Sequence, residues 1–325
     1  MISNKQQADI EDLFNPKHIT DKVTAWLVSQ PQIISAIKYG LDLYNAWLSM
    51  EHPCPQKQYR LAVLKGHELP ISEILLRILA HVLVQAHDKT MLINIVMPLV
   101  SKLKFNDRLD SIQTAFELVA LFSKTGIYSI FKMSVRGSLM ISASIQLPAE
   151  LLTEALNKEY MPPVLGKPKT LTDNNSTAYQ SLKYSIFNGA SINRHEGNAC
   201  LDALNNINNV RFKLDMDFIN NVTDTPDLEI KEKNGRFLSK DERAEIVRMK
   251  LRNHVAYTNQ AKFMTDFINN NGGGFSFNHK IDKRGRIYSE GFIFNPQGSD
   301  YRKGQLNFEK AVEIDVPSCF KDMNS

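Results

Sequence analysis

The reading of the chain turns on Phe275-Ser276-Phe277-Asn278-His279-Lys280-Ile281-Asp282-Lys283-Arg284-Gly285-Arg286-Ile287-Tyr288. Its continuation is Gly291-Phe292-Ile293-Phe294-Asn295-Pro296-Gln297-Gly298-Ser299-Asp300-Tyr301-Arg302-Lys303-Gly304-Gln305-Leu306. Apolar residues at Phe275, Phe277 and Ile281, then at Ile287 and Ile293, predict short strands meeting at an Arg284-Gly285-Arg286 turn. Lys280, Lys283, Arg284 and Arg286 crowd that turn, and Arg302 and Lys303 return a few residues later. A glycine between arginines lets backbone come close to a phosphate, and arginine's planar fork grips phosphate oxygens two at a time. Tyr288 and Phe294 are placed to stack or pack beside it. The residues alone predict a phosphate-backbone contact surface; the competing expectation is a basic hairpin whose charges face water.

Upstream of this stretch, Ser239-Lys240-Asp241-Glu242 has the spacing of a capping box and predicts the start of a long helix. Val247, Leu251, Val255, Phe263 and Phe267 are its expected apolar positions, and Asn271-Gly272-Gly273-Gly274 its end. Its beginning is rich in Lys231, Lys233, Arg236, Lys240, Arg243, Arg248, Lys250 and Arg252, with acids interleaved, which reads as a charge-balanced face. Residues 198–222 read as one helix. Within it Asp215 and Asp217 imitate a metal-binding pair, but on a helix two such carboxylates point about 200° apart and cannot chelate one ion.

From Gln7 to Leu121 the chain reads as helices joined by short turns. Ile74, Leu75, Ile78, Leu79, Val82 and Leu83 mark an apolar stripe at helical spacing, and Pro98 is expected to kink or end the next helix. His81 and His87 read as ordinary helix histidines. Two short strands are expected within residues 127–145, around an Arg136-Gly137 turn, then a helix from Pro148 to Tyr160 stopped by Met161-Pro162-Pro163. The polar run Thr172–Thr177 reads as a surface connection and a boundary between two parts of the chain. The expected fold is therefore mainly α with small β elements, an α+β chain, divided into a helical domain over 1–150 and a second domain over 151–325.

Composition bounds the function classes. Over 325 residues, 43% hydrophobic and 23% charged residues describe a chain with a real core, and the longest apolar run, Met91–Val100, is too short to span a bilayer. The first residues lack an apolar signal core. Cys54, Cys200 and Cys319 are odd in number and far apart, which fits neither a disulfide framework nor a cysteine zinc site and suits a reducing cytoplasm. A net charge of +4 is compatible with a polyanionic partner without requiring one.

Asp282-x-x-Gly285-Arg286-Ile287-Tyr288, with Phe294-Asn295-Pro296-Gln297-Gly298-x-Asp300-x-x-Lys303-Gly304-x-Leu306, resembles the Asp-x-x-Gly-Arg segment of single-subunit DNA-directed RNA polymerases, the bacteriophage and mitochondrial enzymes. The likeness continues more weakly through Tyr160-Met161-Pro162-Pro163, Lys167-Pro168-Lys169, Leu204–Leu214 and Ala261-Lys262-Phe263, covering roughly residues 110–313. It implies a helical N-terminal region followed by the thumb-to-palm approach of a right-hand polymerase. Arg286 is then expected on the template-strand or hybrid backbone, and Arg284 and Tyr288 beside the same groove with Gly285 at its turn. Lys303 is expected near the hybrid and incoming nucleotide, and Asp282 as the carboxylate orienting the arginines. Asn295 and Gln297 would hold the turn, Gly298 permitting it, while Lys213, Lys240 and Arg243 are weaker phosphate candidates.

The family's catalytic aspartates, lysine and tyrosine all lie downstream of this segment, and Asp315 and Asp322 lack their surroundings. The resemblance thus implies either a degenerate fragment or, the favoured reading for a core-sized chain with intact motif residues, the smaller chain of a two-chain bacteriophage RNA polymerase, inactive alone. A partner subunit would bring palm, fingers and Mg2+, nucleoside triphosphates would be the substrates, and DNA template and RNA–DNA hybrid the bound strands. The implied place of action is the cytoplasm of an infected bacterial host, with room for an activator or a single-stranded DNA-binding protein. Phe308, Val312, Ile314 and Phe320 are the expected partner-facing apolar residues. The reading from another class is a stand-alone nucleic-acid-binding accessory protein.

Overall fold

The stripe Ile74, Leu75, Ile78, Leu79, Val82 and Leu83 is buried along its whole length. Each such side chain contributes roughly 1.5–3 kcal/mol on leaving water, which explains why this segment anchors a core. The computed structural model describes residues 1–66, 70–100, 102–103, 105–132, 138–189, 197, 199–230 and 238–310. In chain order its first half holds α1 (Asn4–Leu13), α2 (Pro16–Ser29), α3 (Pro31–Ser49), α4 (Pro55–Lys65), α5 (Ile71–Gln85), β1 (Thr90–Met91), α6 (Leu92–Val100), α7 (Arg108–Phe122), β2 (Tyr128–Lys132), β3 (Leu139–Ala143) and α8 (Ala149–Asn157). Then follow α9 (Leu201–Asn208), β4 (Phe212–Leu214), α10 (Met216–Asn221), α11 (Lys240–Asn270), β5 (Gly274–Phe275), β6 (His279–Ile281), β7 (Ile287–Ser289), α12 (Asp300–Gly304) and β8 (Leu306–Phe308). Mixed α and β content with small antiparallel sheets agrees with the α+β expectation. Among the described residues no helix is long and apolar enough to cross a membrane.

The chain divides into two compact units: one of Pro16–Glu159 with Glu229–Met249, the other of Met1–Asn15, Tyr160–Leu228 and the chain from Lys250 onward. In the helical unit, α2, α3, α5, α6 and α7 enclose a core that includes Val23, Ile33, Ile78, Ile95, Leu118 and Phe122. An antiparallel sheet of order β1-β3-β2 packs its Met140, Ile141 and Ala143 inward. The strands stand where the sequence places them; the Arg136-Gly137 turn lies outside the described residues. Pro98 does not end its helix, which runs on to Val100. Proline removes the amide that would bond the carbonyl of Asn94, and His81 Nε2 meets that oxygen at 3.3 Å instead.

The second unit carries the informative stretch. Phe275, Phe277, Ile293 and Phe294 join Phe14, Leu165, Leu214, Met264 and Ile268 in one core cluster. Two small antiparallel sheets frame it, β5-β4-β8 and the pair β6-β7. The capping box at Ser239 forms as its spacing predicts: the Ser239 Oγ accepts from the Glu242 amide at 3.2 Å, and the Glu242 carboxylate accepts from the Ser239 amide at 2.9 Å. At the other end of α11, Gly272 and Gly273 take φ values of +99° and +73°, the left-handed region open to glycine.

Four expectations need correcting. Residues 198–222 are not one helix but α9, β4 and α10. Asp215 breaks the run by capping α10, its Oδ1 accepting from the Phe218 amide at 2.8 Å and its Oδ2 from Asn307 at 2.7 Å. That use of the carboxylate, rather than helical geometry, separates it from Asp217. Along α11, Leu251 and Val255 are exposed, and the buried positions are Met264, Thr265 and Ile268, so the expected apolar stripe holds only toward the helix's C-terminal part. Thr172–Thr177 does not divide the chain. It lies within the second unit, where Ser176 and Thr177 are buried and the Ser176 hydroxyl accepts from the amides of Thr172 and Asp173. Finally, Phe294 is a core residue at 2% exposure, not a ring available for stacking.

Candidate nucleic-acid interface

β6 and β7 pair antiparallel with His279 opposite Ser289, Lys280 opposite Tyr288 and Ile281 opposite Ile287. The turn between them is built around one carboxylate. Asp282 Oδ1 accepts from the amides of Arg284 (2.8 Å) and Arg286 (3.0 Å). Its Oδ2 accepts from Arg286 Nε (2.8 Å), Arg286 Nη2 (2.6 Å) and the Tyr288 hydroxyl (3.2 Å). The Tyr288 ring lies under the guanidinium, 5.6 Å from centroid to Cζ. Although desolvation opposes it, the hydrogen bonds from the Arg286 side chain and from the two amides hold the Asp282 carboxyl at about 2. Gly285 sits at φ +81°, and a Cβ there would touch nothing within 4 Å. Glycine is therefore needed for backbone conformation, and the open space leaves the turn accessible.

The expected role of Asp282 thus has a geometry: it orients Arg286 by a two-pronged ion pair, while it meets Arg284 only through the backbone. Arg286 keeps 58% of its side chain exposed while held in that clamp. The Arg284 and Lys283 side chains are exposed, and no ion pair engages them among the described residues. Lys280 belongs elsewhere. Its Nζ pairs with Glu290 Oε1 at 2.6 Å and lies 4.2 Å over the Tyr184 ring, so it leaves the group of available cations. Lys303 lies on α12 and makes a surface pair with Asp300 at 3.2 Å; both ends are exposed, a pair worth little. Lys213 is exposed on β4. Lys240 and Arg243, exposed at the start of α11, belong to the helical unit. Lys231, Lys233 and Arg236 lie outside the described residues.

Asn295 and Gln297 latch the hairpin to the following turn. Asn295 Nδ2 donates to the carbonyls of Ser289 (3.2 Å) and Gly291 (3.0 Å). Gln297 accepts from the Ser289 amide (2.9 Å) and donates to the Ile287 carbonyl (2.9 Å). Sequence reasoning missed a second brace beneath the hairpin. His279 Nδ1 lies 2.8 Å from Asn208 Oδ1, and its Nε2 lies 2.9 Å from Ser289 Oγ. The order serine–imidazole–amide resembles a hydrolase triad. Burial, however, pushes the imidazole down to about 4, too weak a base to take a serine proton at neutral pH. The arrangement acts as a buried strut from α9 to both strands. A third contact set, Tyr184 and Asn278 donating to Glu290 at 2.6 and 2.5 Å, fixes the residue after β7. None of these has a local sequence signature, because each joins residues that only the tertiary fold brings together.

The clamp gives a pH prediction. A carboxyl held below its ordinary 3.8 contributes stability that is complete above that value and is lost as pH falls toward about 2. Hydrogen-exchange protection at the Arg284 and Arg286 amides should therefore fall between about pH 4 and 2. An Asp282→Asn chain keeps an oxygen acceptor for the two amides but has nothing to titrate there, so its protection should show no such step; a step of equal size in that variant would assign the titration to another group.

No protein-family model matches this chain, and no curated protein matches it.

Proposed function

We propose that this chain supplies template-strand and RNA–DNA hybrid contacts near the active site of a bacteriophage-type DNA-directed RNA polymerase, working in the cytoplasm of an infected bacterial host. A partner subunit carries the palm and fingers with the metal-binding aspartates. The observation that carries the reading is the Asp282 clamp, which presents an oriented, half-exposed arginine beside a tyrosine on a rigid, glycine-turned hairpin. Such a group binds a backbone phosphate without reading sequence. Among the described residues no group of three or more His, Cys, Asp or Glu could hold a metal ion. In this reading Mg2+ is bound by the partner, where it would neutralise the charge that develops during nucleotidyl transfer. Arg286, Arg284 and Lys303 hold strands in place, and Asp282 and Tyr288 keep Arg286 oriented. Phe308, 64% exposed on β8, favours an apolar partner contact; Val312, Ile314 and Phe320 lie outside the described residues.

The test is co-purification of the tagged chain from its native source, followed by RNA synthesis on single-stranded DNA. A stoichiometric partner with Mg2+-dependent synthesis by the pair alone is the expected result. No partner and no synthesis, with salt-sensitive binding retained, would convert the reading to a stand-alone nucleic-acid-binding accessory protein.

A further inference from the structure

We infer that Arg302 is a second phosphate-binding group of this surface, held ready by an aromatic corner. The inference rests on the nucleic-acid reading of the hairpin and adds a residue that the resemblance does not assign. Three observations carry it. First, the guanidinium carbon lies 4.7 Å from the centre of the Tyr257 ring and 5.3 Å from that of Phe292. The two rings meet edge to face at 71°, and Phe292 is itself stacked on Tyr160 at 3.8 Å and 8°. Second, the stem of Arg302 lies over Gly298: a Cβ at that glycine would come within 2.9 Å of both Arg302 Cβ and Cδ. Gly298 is thus bare because the arginine passes across it. Third, no carboxylate pairs with Arg302 among the described residues, unlike Arg286, Arg211 and Lys280, which are each matched to one.

An arginine whose stem and planar head are both packed has lost most of its rotamer freedom before any ligand arrives, so binding an anion costs less entropy. The two rings pack against the guanidinium, which also bonds the Tyr257 hydroxyl, and its remaining N–H groups are left for an acceptor. Phe292 remains 42% exposed, so the corner opens to solvent. Gln297, which latches β7, is next to Gly298 in the chain, so Arg302 and Arg286 stand on one hydrogen-bonded module. A diester phosphate of a single strand fits this chemistry, and so does the phosphate chain of a nucleoside triphosphate.

The experiment measures fluorescence anisotropy of a labelled oligothymidylate with the full chain across a range of NaCl concentrations. Arg302→Met keeps the apolar stem and removes the charge. It should weaken binding about 5- to 10-fold and reduce the slope of log K against log salt by about 0.7, the value for one single-strand phosphate. Arg302→Lys keeps the charge and loses the stacked fork. It should retain the slope and still bind several-fold more weakly, and it carries the test should the methionine variant fold poorly. Unlabelled oligouridylate and a nucleoside triphosphate, added as competitors, separate the sources: displacement lost in Arg302→Met identifies which phosphate the residue holds. Arg302→Met binding with wild-type affinity and slope, while Arg286→Ala loses both, would reduce Arg302 to a plug in an aromatic gap. Arg302→Lys binding as tightly as wild type would remove the role of the stacked fork. A wild-type chain with no salt-dependent binding would instead overturn the nucleic-acid reading itself.

Discussion

Glu11→Ala should destabilise the unit that carries the hairpin by about 3–5 kcal/mol. Glu11 is fully buried and accepts every hydrogen bond its two oxygens are offered. Oε1 receives Gln7 Nε2 and the Gln180 amide, each at 2.8 Å. Oε2 receives the Ser181 amide at 2.6 Å and the Ser181 hydroxyl at 2.7 Å. Gln7 in turn accepts from the amides of Leu165 and Gly166 at 2.9 and 3.0 Å. Two side chains of α1 therefore satisfy the irregular backbone at 165–166 and 180–181, which has no strand partner at those amides. Truncation leaves four donors without their acceptor; the two on exposed Ser181 can turn to water, whereas the buried Gln7 amide and the half-buried Gln180 amide carry most of the cost, roughly 1–3 kcal/mol for each orphaned group and not fully additive. Urea unfolding of the full chain should show the loss, and hydrogen exchange should localise it to the Gln180 and Ser181 amides. Glu11→Gln keeps one oxygen acceptor and should lose less than half as much. An alanine variant within about 1 kcal/mol of wild type would mean that water satisfies the Gln7 and Gln180 donors as well as the carboxylate does.

That pair of residues also marks the limit of what the sequence discloses. Features set by neighbours a few positions apart were legible: the Ser239–Glu242 capping box, the glycines after α11, the apolar stripe of α5 and the Arg284-Gly285-Arg286 turn. In each case the physical cause is local, a cap, a positive φ or a helical period. Gln7 and Glu11 read as ordinary polar helix residues because their partners lie more than 150 positions away. The same holds for His279, whose partner Asn208 sits at the end of α9. Leu251 and Val255 keep helical spacing yet face outward, because periodicity states which positions share a face and not what covers it. Asp215 misled for another reason: a carboxylate can cap a helix as readily as ride on one, and only the Phe218 amide at 2.8 Å decides.

Of the hairpin's residues, Arg286 should have the largest effect on synthesis. On the proposed polymerase reading, Arg286→Ala, assayed with the proposed partner subunit, should lower RNA synthesis on the order of 100-fold, the cost of removing one positioned charged donor from a transferring phosphoryl site. Its melting transition should stay close to wild type, because the guanidinium is largely exposed and fills no core volume. Comparison with Asp282→Ala separates charge from geometry. That variant keeps the arginine and removes its counter-charge, so the turn becomes more positive. If bulk charge drives the contact, Asp282→Ala should bind single-stranded DNA more tightly and synthesise at least as well as wild type. If orientation drives it, binding should tighten or hold while synthesis falls, since the guanidinium loses both bonds to Oδ2 and the amides of Arg284 and Arg286 lose their acceptor. The clamp geometry favours the second outcome: a carboxylate 2.6 Å from Nη2 offsets part of the arginine's own attraction for phosphate. That arrangement makes sense at a phosphate site only where a fixed direction matters more than a stronger charge. Unfolding of Arg286→Ala, or undiminished synthesis by it, would remove the residue from the contact surface.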